Sequence, residues 1–336
     1  MNTRDLIGQS PLIAAMERIL ASGRVVHAYL FTGPAGAGKK TMSSLLAQAL
    51  LCTSQGSRPC SLCSTCRQFE GGSHPDVFWI RRPEGKTGIS VGQIRDLQAA
   101  IKVKPYQAGK RVCFIDNAHL MTQQAQNALL KTLEEPPSHT LFFLLAESTS
   151  ALLPTILSRC QTFRIGALPQ QMIIEILHRR LSISQEDAGM IAALSQGNPG
   201  KALALAEDEA FRSSREILLR SMSQAGSVRI LDAYEVFADN RHRVEDLFHI
   251  LQLWIRDLLV LKETGEWGLV INLDQAALLK KQVSYFTSEA LKDMIEKIED
   301  SRKMLKSNSN YQPTIENMLL SFQGGTMNAA CSRSPV

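Results

Sequence analysis

Gly33-Pro-Ala-Gly-Ala-Gly-Lys39 separates an apolar run, His27-Ala-Tyr-Leu-Phe-Thr32, from a segment of helical character at 41–51. The run reads as a buried strand. A G-x4-G-K spacing at a strand-to-helix turn is that of a phosphate-binding loop. Glycines let successive backbone N–H groups turn inward around phosphate oxygens, the following helix offers its positive end, and Lys39 adds a point charge. Gly33, Gly36, Gly38 and Lys39 are therefore the first candidate nucleotide-binding residues. The next position is irregular. A hydroxyl normally follows the lysine and ligates Mg²⁺. Here Lys40 follows, and an ammonium cannot bind a cation. Thr41 comes one residue later, which turns it by about 100° around a helix. Lys40 and Thr41 complete a degenerate loop.

Outward from this loop, short apolar runs alternate with amphipathic segments. Val77-Phe-Trp-Ile80, Val112-Cys-Phe-Ile115 and Leu141-Phe-Phe-Leu-Leu145 read as buried strands, and Thr162-Phe-Arg-Ile165 can supply one more. Helices are expected over 91–102 and 122–133. This alternation predicts an α/β fold with a parallel sheet covered on both faces. Asp116 closes the 112–115 strand, where P-loop ATPases keep a carboxylate that holds Mg²⁺ through water; the plain alternative is a cap or turn residue. From 170 to 207 the pattern is helical, broken by Gly197-Asn-Pro-Gly200, and from 210 to 322 it is helical again, with long runs at 244–263 and 288–306. The expected domains are 1–165, a small helical domain at 166–207 and a helical bundle at 208–323, with a disordered tail at 324–336.

The chain has 336 residues and a formal charge of +5. Its length suits two or three domains, and the mild charge permits nucleic-acid contact without arguing for it. No apolar run is long enough to span a bilayer and the first residues do not read as a signal peptide, so a cytoplasmic protein is expected. Four cysteines, Cys52, Cys60, Cys63 and Cys66, cluster in a Cys-x7-Cys-x2-Cys-x2-Cys pattern, while Cys113, Cys160 and Cys331 stand apart. In a reducing compartment such a cluster points to metal. Four thiolates suit a closed tetrahedral Zn²⁺ site that folds an excursion at 52–72. The x2 spacings also resemble an iron–sulfur run, so spacing alone leaves the metal open. His74 reads as a loop residue before Pro75. Arg81, Arg82, Lys102, Lys104, Lys110 and Arg111 are candidate DNA contacts, but no aromatic-plus-basic stripe accompanies them.

Three further stretches carry a family resemblance: Phe114-Ile-Asp-Asn-Ala-His119, Gln126-Asn-Ala-Leu-Leu-Lys-Thr-Leu-Glu-Glu-Pro136 and Leu152-Leu-Pro-Thr-Ile-Leu-Ser-Arg-Cys160, with Gly8-Gln-Ser upstream. Together they resemble the clamp-loader branch of the AAA+ proteins, strongly over about 5–205 and only architecturally beyond. The resemblance implies a RecA-like AAA+ sheet domain, a small helical lid and a helical collar. It also implies gamma/tau and delta subunits as partners in a five-subunit ring that opens a sliding clamp and places it on primed DNA. The cysteine module falls where such subunits carry zinc.

The family's ATPases carry Thr after the loop lysine, Asp-Glu at the end of the second strand motif, a polar sensor residue and an Arg on the lid. This chain has Lys40, Asn117, Ala146-Glu147 and Gly200 at those places. Neutral Asn orients a water but cannot take its proton. The resemblance thus implies a non-hydrolysing stator, with a motor subunit of the gamma/tau type as the alternative. Nucleotide binding without hydrolysis stays open. Arg159 of Ser-Arg-Cys is intact, and the family's pattern implies an arginine finger that reaches into a neighbour's site; the plain reading is a cation closing a helix C-terminus. Nothing resembles a polymerase active site. No intrinsic activity is expected, only an accessory place in a nucleotidyltransferase holoenzyme.

Overall fold

The computed structural model describes residues 7–54, 56–107, 109–222 and 230–322. The expected tail at 324–336, and Cys331 within it, lies outside the described residues. The chain divides into two units: one runs to Leu168 and includes Asn198–Gly200, the other comprises Pro169–Gly197 and the residues from Lys201 onward.

The first unit contains α1 (Ser10–Ser22), β1 (Ala28–Thr32), α2 (Lys39–Leu51), α3 (Ser64–Glu70), β2 (Val77–Ile80), α4 (Val91–Ala100), β3 (Arg111–Ile115), α5 (Gln123–Glu134), β4 (Thr140–Ala146), α6 (Pro154–Leu157) and β5 (Gln161–Arg164). All strand pairs are parallel, in the order β2-β3-β4-β1-β5. The three inner strands, Arg111–Ile115, Thr140–Ala146 and Ala28–Thr32, are buried at every residue, as strands covered on both faces must be. At the edge, β5 buries only Phe163.

Alternate residues feed two cores. Tyr29, Phe31, Phe114 and Phe143 pack against α1 and α2 through Met16, Met42 and Leu46. Leu30, Cys113, Ile115, Phe142 and Leu144 pack against α4, α5 and α6 through Ile94, Leu97, Leu129 and Ile156. Register places Trp79, Phe114, Phe143 and Tyr29 side by side across four strands. Their neighbouring ring centroids lie 4.0, 5.2 and 5.2 Å apart. Tyr29, Phe114 and Phe143 are fully buried and each contributes about 1.5–3 kcal/mol of transfer free energy, with Trp79 partly buried at the edge, so this row is a main anchor of the sheet. Helix starts are fixed locally: Ser90 and Gln93 form a capping box for α4, and Thr122 caps α5 through the Ala125 N–H.

The strands match the sequence expectation closely. The helix at Ser10–Ser22 and the short one at Ser64–Glu70 were not expected, and the break at Gly197-Asn-Pro-Gly200 is shorter than expected, because α9 begins at Pro199.

The second unit is helical: α7 (Gln170–Arg180), α8 (Gln185–Ser195), most of α9 (Pro199–Glu207), α10 (Glu209–Ser221), α11 (Ile230–Asp239), α12 (Val244–Thr264), α13 (Ala276–Gln282), α14 (Ser288–Lys306) and α15 (Tyr311–Ser321). Leu247, Leu251, Trp254 and Leu258 make the buried stripe of α12. Polar groups inside are paired. Asp257, fully buried, accepts from the backbone N–H groups of Ile271 and Asn272 and from the Asn272 amide, and Arg215 reaches Asp274 and Asn272. Trp254 Nε1 donates to Gln282. Among the described residues no helix is long and apolar enough to cross a membrane.

Candidate functional site

The glycine-rich loop leaves β1 at its C-terminal end, the edge where open α/β sheets bind ligands. The Gly33 N–H donates to Ala146 O, and a Cβ at Gly33 would stand 2.5 Å from the Ile165 carbonyl oxygen. Only glycine lets the chain turn between β4 and β5 here. Lys39 opens α2, and its Nζ donates to Gly33 O and Pro34 O, both at 2.8 Å. Burial pulls this ammonium below the usual lysine range, and the carboxylates of Glu147 and Asp116 oppose that pull.

The next two carbonyls of the loop are also taken. Asn198 Nδ2 donates to Ala35 O at 2.6 Å and the Gly200 N–H to Gly36 O at 3.0 Å. A Cβ at Gly200 would lie 2.6 Å from Gly36 Cα. Carbonyls 33–36 are therefore all engaged from within the chain. Sequence reasoning weighed Gly200 only as a missing arginine; the Gly-Asn-Pro-Gly run was the available signal of a close backbone approach.

Other candidate residues sit around this loop. Asp116 is half-buried at the end of β3, and its N–H donates to Ile80 O. Asn117 follows with φ 56°, ψ 48°, a left-handed conformation that Asn adopts more readily than Glu. The Asn thus has a backbone reason to be there as well as a chemical consequence. Thr41 is exposed. Lys40 does not lie among the loop carbonyls: its Nζ rests 5.2 Å from the centroid of Trp79. Glu147, at the expected sensor place, donates its N–H to His119 Nδ1 and borders a cavity of about 300 Å³ with Thr32, Gly33 and Arg164.

Gln126, which sequence reasoning quoted but gave no role, ties α5 to the segment before α6. Its Nε2 donates to Ala151 O at 2.9 Å and Met121 O at 3.3 Å, and its Oε1 accepts the Leu153 N–H at 2.8 Å. The short α6 carries Arg159 just beyond its end. That guanidinium donates to Thr155 O on α6 and to Ser158 Oγ at its C-cap, and pairs with Glu134 on α5 at 2.8 Å. It is one-third exposed, and the ion pair is of the surface kind worth about 0–1 kcal/mol.

Cys52, Cys60, Cys63 and Cys66 come together, each Sγ within 4.8 Å of the others. Zn–S bonds of about 2.3 Å in a tetrahedron put sulfurs about 3.8 Å apart; Cys60 and Cys66 stand at 4.0 Å. The four residues fit a thiolate-bound metal. The N–H of Cys63 points at Cys60 Sγ and that of Cys66 at Cys63 Sγ. Backbone N–H groups of Leu62 and Cys63 hold the Cys60 thiol below its ordinary range. Burial pushes Cys63 up, but N–H groups of Cys66 and Thr53 bring it down to about 6. Burial pushes Cys66 up, the contribution a bound cation would reverse. Cys52 caps α2, and Gln48 joins that helix to Cys66 O and Glu70 on α3. His74 is not in the cluster; its Nδ1 accepts the Asp76 N–H. Cys113 and Cys160 are pushed up to about 12 by burial and lie apart.

One candidate DNA contact is removed. Arg111 is buried, donating to the carbonyls of Ala100, Val103 and Lys104, so it closes the end of α4 rather than facing a ligand.

Comparison with known proteins agrees over both units. The family described as DNA polymerase III, delta subunit, matches residues 8–169, and its C-terminal counterpart matches 209–324. The chain is 31% identical to DNA polymerase III subunit delta′ of Bacillus subtilis over 309 residues, 90% of this chain and 92% of that one. It is 31% identical to the Escherichia coli subunit delta′ over 298 residues, 87% of each. The Escherichia coli subunit tau is 33% identical over 225 residues, which is 65% of this chain but 34% of tau.

Proposed function

The chain belongs to the delta-prime family of DNA polymerase III subunits, the clamp-loader branch of the AAA+ proteins, and from that premise we propose that it is the non-hydrolysing stator of its assembly. In this reading it joins gamma/tau and delta subunits in a five-membered ring that loads a sliding clamp onto primed DNA. Residues 166–207 serve as a lid and the bundle from 208 onward as the collar.

The observation that carries the reading is the state of the loop. Carbonyls 33–36 are occupied by Lys39, Asn198 and Gly200, while the magnesium hydroxyl is Lys40 and the water-activating carboxylate is Asn117. The residues at 40 and 117 each remove a different requirement of phosphoryl transfer; the engaged carbonyls fix the loop's shape and leave its N–H groups, which would hold phosphate, untouched. Arg159, by contrast, is one-third exposed just beyond the end of α6 and keeps donors that Thr155, Ser158 and Glu134 do not use. We assign it the part of an arginine finger acting in trans, where such groups are worth about 10³–10⁵ in rate. The cysteine cluster would hold a structural zinc with no open position, keeping the excursion after α2 folded.

The test is ATP turnover by the purified chain, then by the chain mixed with gamma/tau and delta, with and without Arg159→Ala. No turnover alone, and a fall in the assembly on substitution with assembly intact, is the expected result. Unchanged turnover in the assembly would refute the finger. Robust turnover by the isolated chain would make it a motor.

A further inference from the structure

Two helices of the first unit supply the cysteine cluster. Cys52 is the C-cap of α2, its N–H donating to Gln48 O at 2.9 Å. Cys63 is the N-cap of α3, and Cys66 lies in the first turn of that helix. Cys60 lies between them in the chain. Metal–ligand distances hold to within about 0.2 Å, so four sulfurs meet one metal only where α2 and α3 keep a fixed relation. The N–H···S bonds join Cys63 to Cys60 and Cys66 to Cys63, and neither involves Cys52.

Gln48 makes the missing connection. It stands one turn before Cys52, on the same face of α2. It is only 7% exposed, and its Nε2 spends both hydrogens on α3, donating to Cys66 O at 3.3 Å and to Glu70 Oε1 at 2.8 Å. One of these acceptors is the backbone of a metal ligand itself. The other anchor of α3 is apolar: Phe69 packs into the core shared by α1 and α2, its ring centroid 6.4 Å from that of Phe114. Apolar burial is non-directional, whereas a hydrogen bond weakens steeply once misaligned. Phe69 therefore holds α3 down, and Gln48 sets where α3 stops along α2. Leucine would serve packing alone at similar volume; the two donated bonds are what it lacks.

We propose that Gln48 is a positioning residue for the metal site: it sets α3 against α2 so that Cys63 and Cys66 meet the metal that Cys52 holds, and it thereby couples metal binding to order at the end of the helix that opens at Lys39. The proposal rests on the reading of the four cysteines as a metal site and is independent of the stator role.

The experiment uses the full chain, stripped of metal under reducing conditions and titrated with Co²⁺, whose thiolate-to-metal charge-transfer band reports sulfur ligation, followed by displacement with Zn²⁺. Gln48→Leu is expected to lower metal affinity about tenfold, the scale of losing an outer partner of a ligand. Glu70→Gln keeps an acceptor for Nε2 and is expected to bind as the parent does. Amide exchange supplies a second readout on the parent, which needs no variant to fold. Stripping the metal is expected to speed exchange at Ala49, Leu50 and Leu51 by about the same factor, since such coupling is reciprocal, with the amides of β4 unchanged. Parent affinity in Gln48→Leu, or unchanged exchange at the end of α2 in the stripped parent, would overturn the coupling. A fall in Glu70→Gln as large as in Gln48→Leu would assign the effect to the carboxylate charge and overturn the positioning role. Absence of the charge-transfer band in the parent would instead refute the metal reading itself.

Discussion

Replacing Gln126 by Leu tests how the first unit positions the segment that carries Arg159. Gln126 is only 4% exposed, and it satisfies the Leu153 N–H at 2.8 Å and Ala151 O at 2.9 Å, with a longer bond to Met121 O. Leucine matches the volume but satisfies none of them. A buried polar group left without a partner costs about 1–3 kcal/mol. Two such groups, offset by the better burial of an apolar side chain, give a net loss of about 2–4 kcal/mol. Urea-dependent exchange of the amides of β1, β3 and β4 reads the first unit, since a two-unit chain need not unfold in one step.

Gln126→Glu adds a pH test. A carboxylate facing the carbonyls of Ala151 and Met121 is disfavoured, so its folded pKa is raised above the unfolded value of about 4.3. A raised carboxyl contributes most when protonated. The Glu variant should therefore approach the parent in acid and lose stability as pH rises through its folded pKa. In the assembly, both variants should lower ATP turnover under conditions where they stay folded, because α6 loses its tether. A Leu variant within about 0.5 kcal/mol of the parent, or a Glu variant with no pH dependence of its own, would refute the reasoning.

Asp208→Ala removes the α10 cap to the Phe211 N–H at 2.9 Å and the ion pair with Arg243, and should cost about 1–2 kcal/mol at neutral pH. The Phe211 N–H, then Arg243, holds the Asp208 carboxyl below its usual range; its contribution is present above about pH 4 and fades as pH falls through the depressed value, so parent and variant denaturation curves should converge in acid. Gly200→Ala places a Cβ 2.6 Å from Gly36 Cα and should break the 200-to-36 hydrogen bond. Exchange of the amide at 200 should then rise about tenfold or more, the equivalent of about 1.4 kcal/mol, and unchanged exchange would show that the contact does not constrain the loop. Elemental analysis should find one zinc per chain, lost in Cys60→Ser and Cys66→Ser; a visible chromophore in the purified protein would assign an iron–sulfur cluster instead.

Much of the sheet was legible because its inner strands are buried on both faces, and such strands show as unbroken apolar runs. Leu141-Phe-Phe-Leu-Leu145 needs no periodicity to be read. The helix at Ser64–Glu70 was hidden for physical reasons. It has seven residues, too few for a pattern, and its cap is the Cys63 sulfur, which takes the Cys66 N–H in place of the usual oxygen. Gly197-Asn-Pro-Gly200 read as a break, yet Pro199 opens α9, since proline has no N–H to lose at a helix start. Within the candidate site, the loop and the cysteine cluster follow from local spacing. The turn of Lys40 onto Trp79 and the contact of Asn198 with Ala35, 163 residues away, come from tertiary packing. No local rule reaches that far.

The retained glycines of the loop have a cause that does not require nucleotide. Gly33 passes so near the Ile165 carbonyl that a Cβ would stand 2.5 Å from it, and Gly36 meets Gly200 with no room for a side chain between them. Both contacts are backbone against backbone, so a methyl group cannot be accommodated by a rotamer change. A side chain at Gly33 must move β1 against β5, and one at Gly200 must lift residues 198–200 from the loop. The loop's form at Gly33 is thus demanded by the sheet, whatever its chemistry. Lys40 and Asn117 are different: each side chain is free of such a clash, and Asn117 suits its left-handed backbone better than Glu would. A side chain at Gly33 would displace backbone directly, whereas Lys40 is exposed and rests against Trp79. On the proposed reading, that asymmetry is why a centre without hydrolysis would keep Gly33.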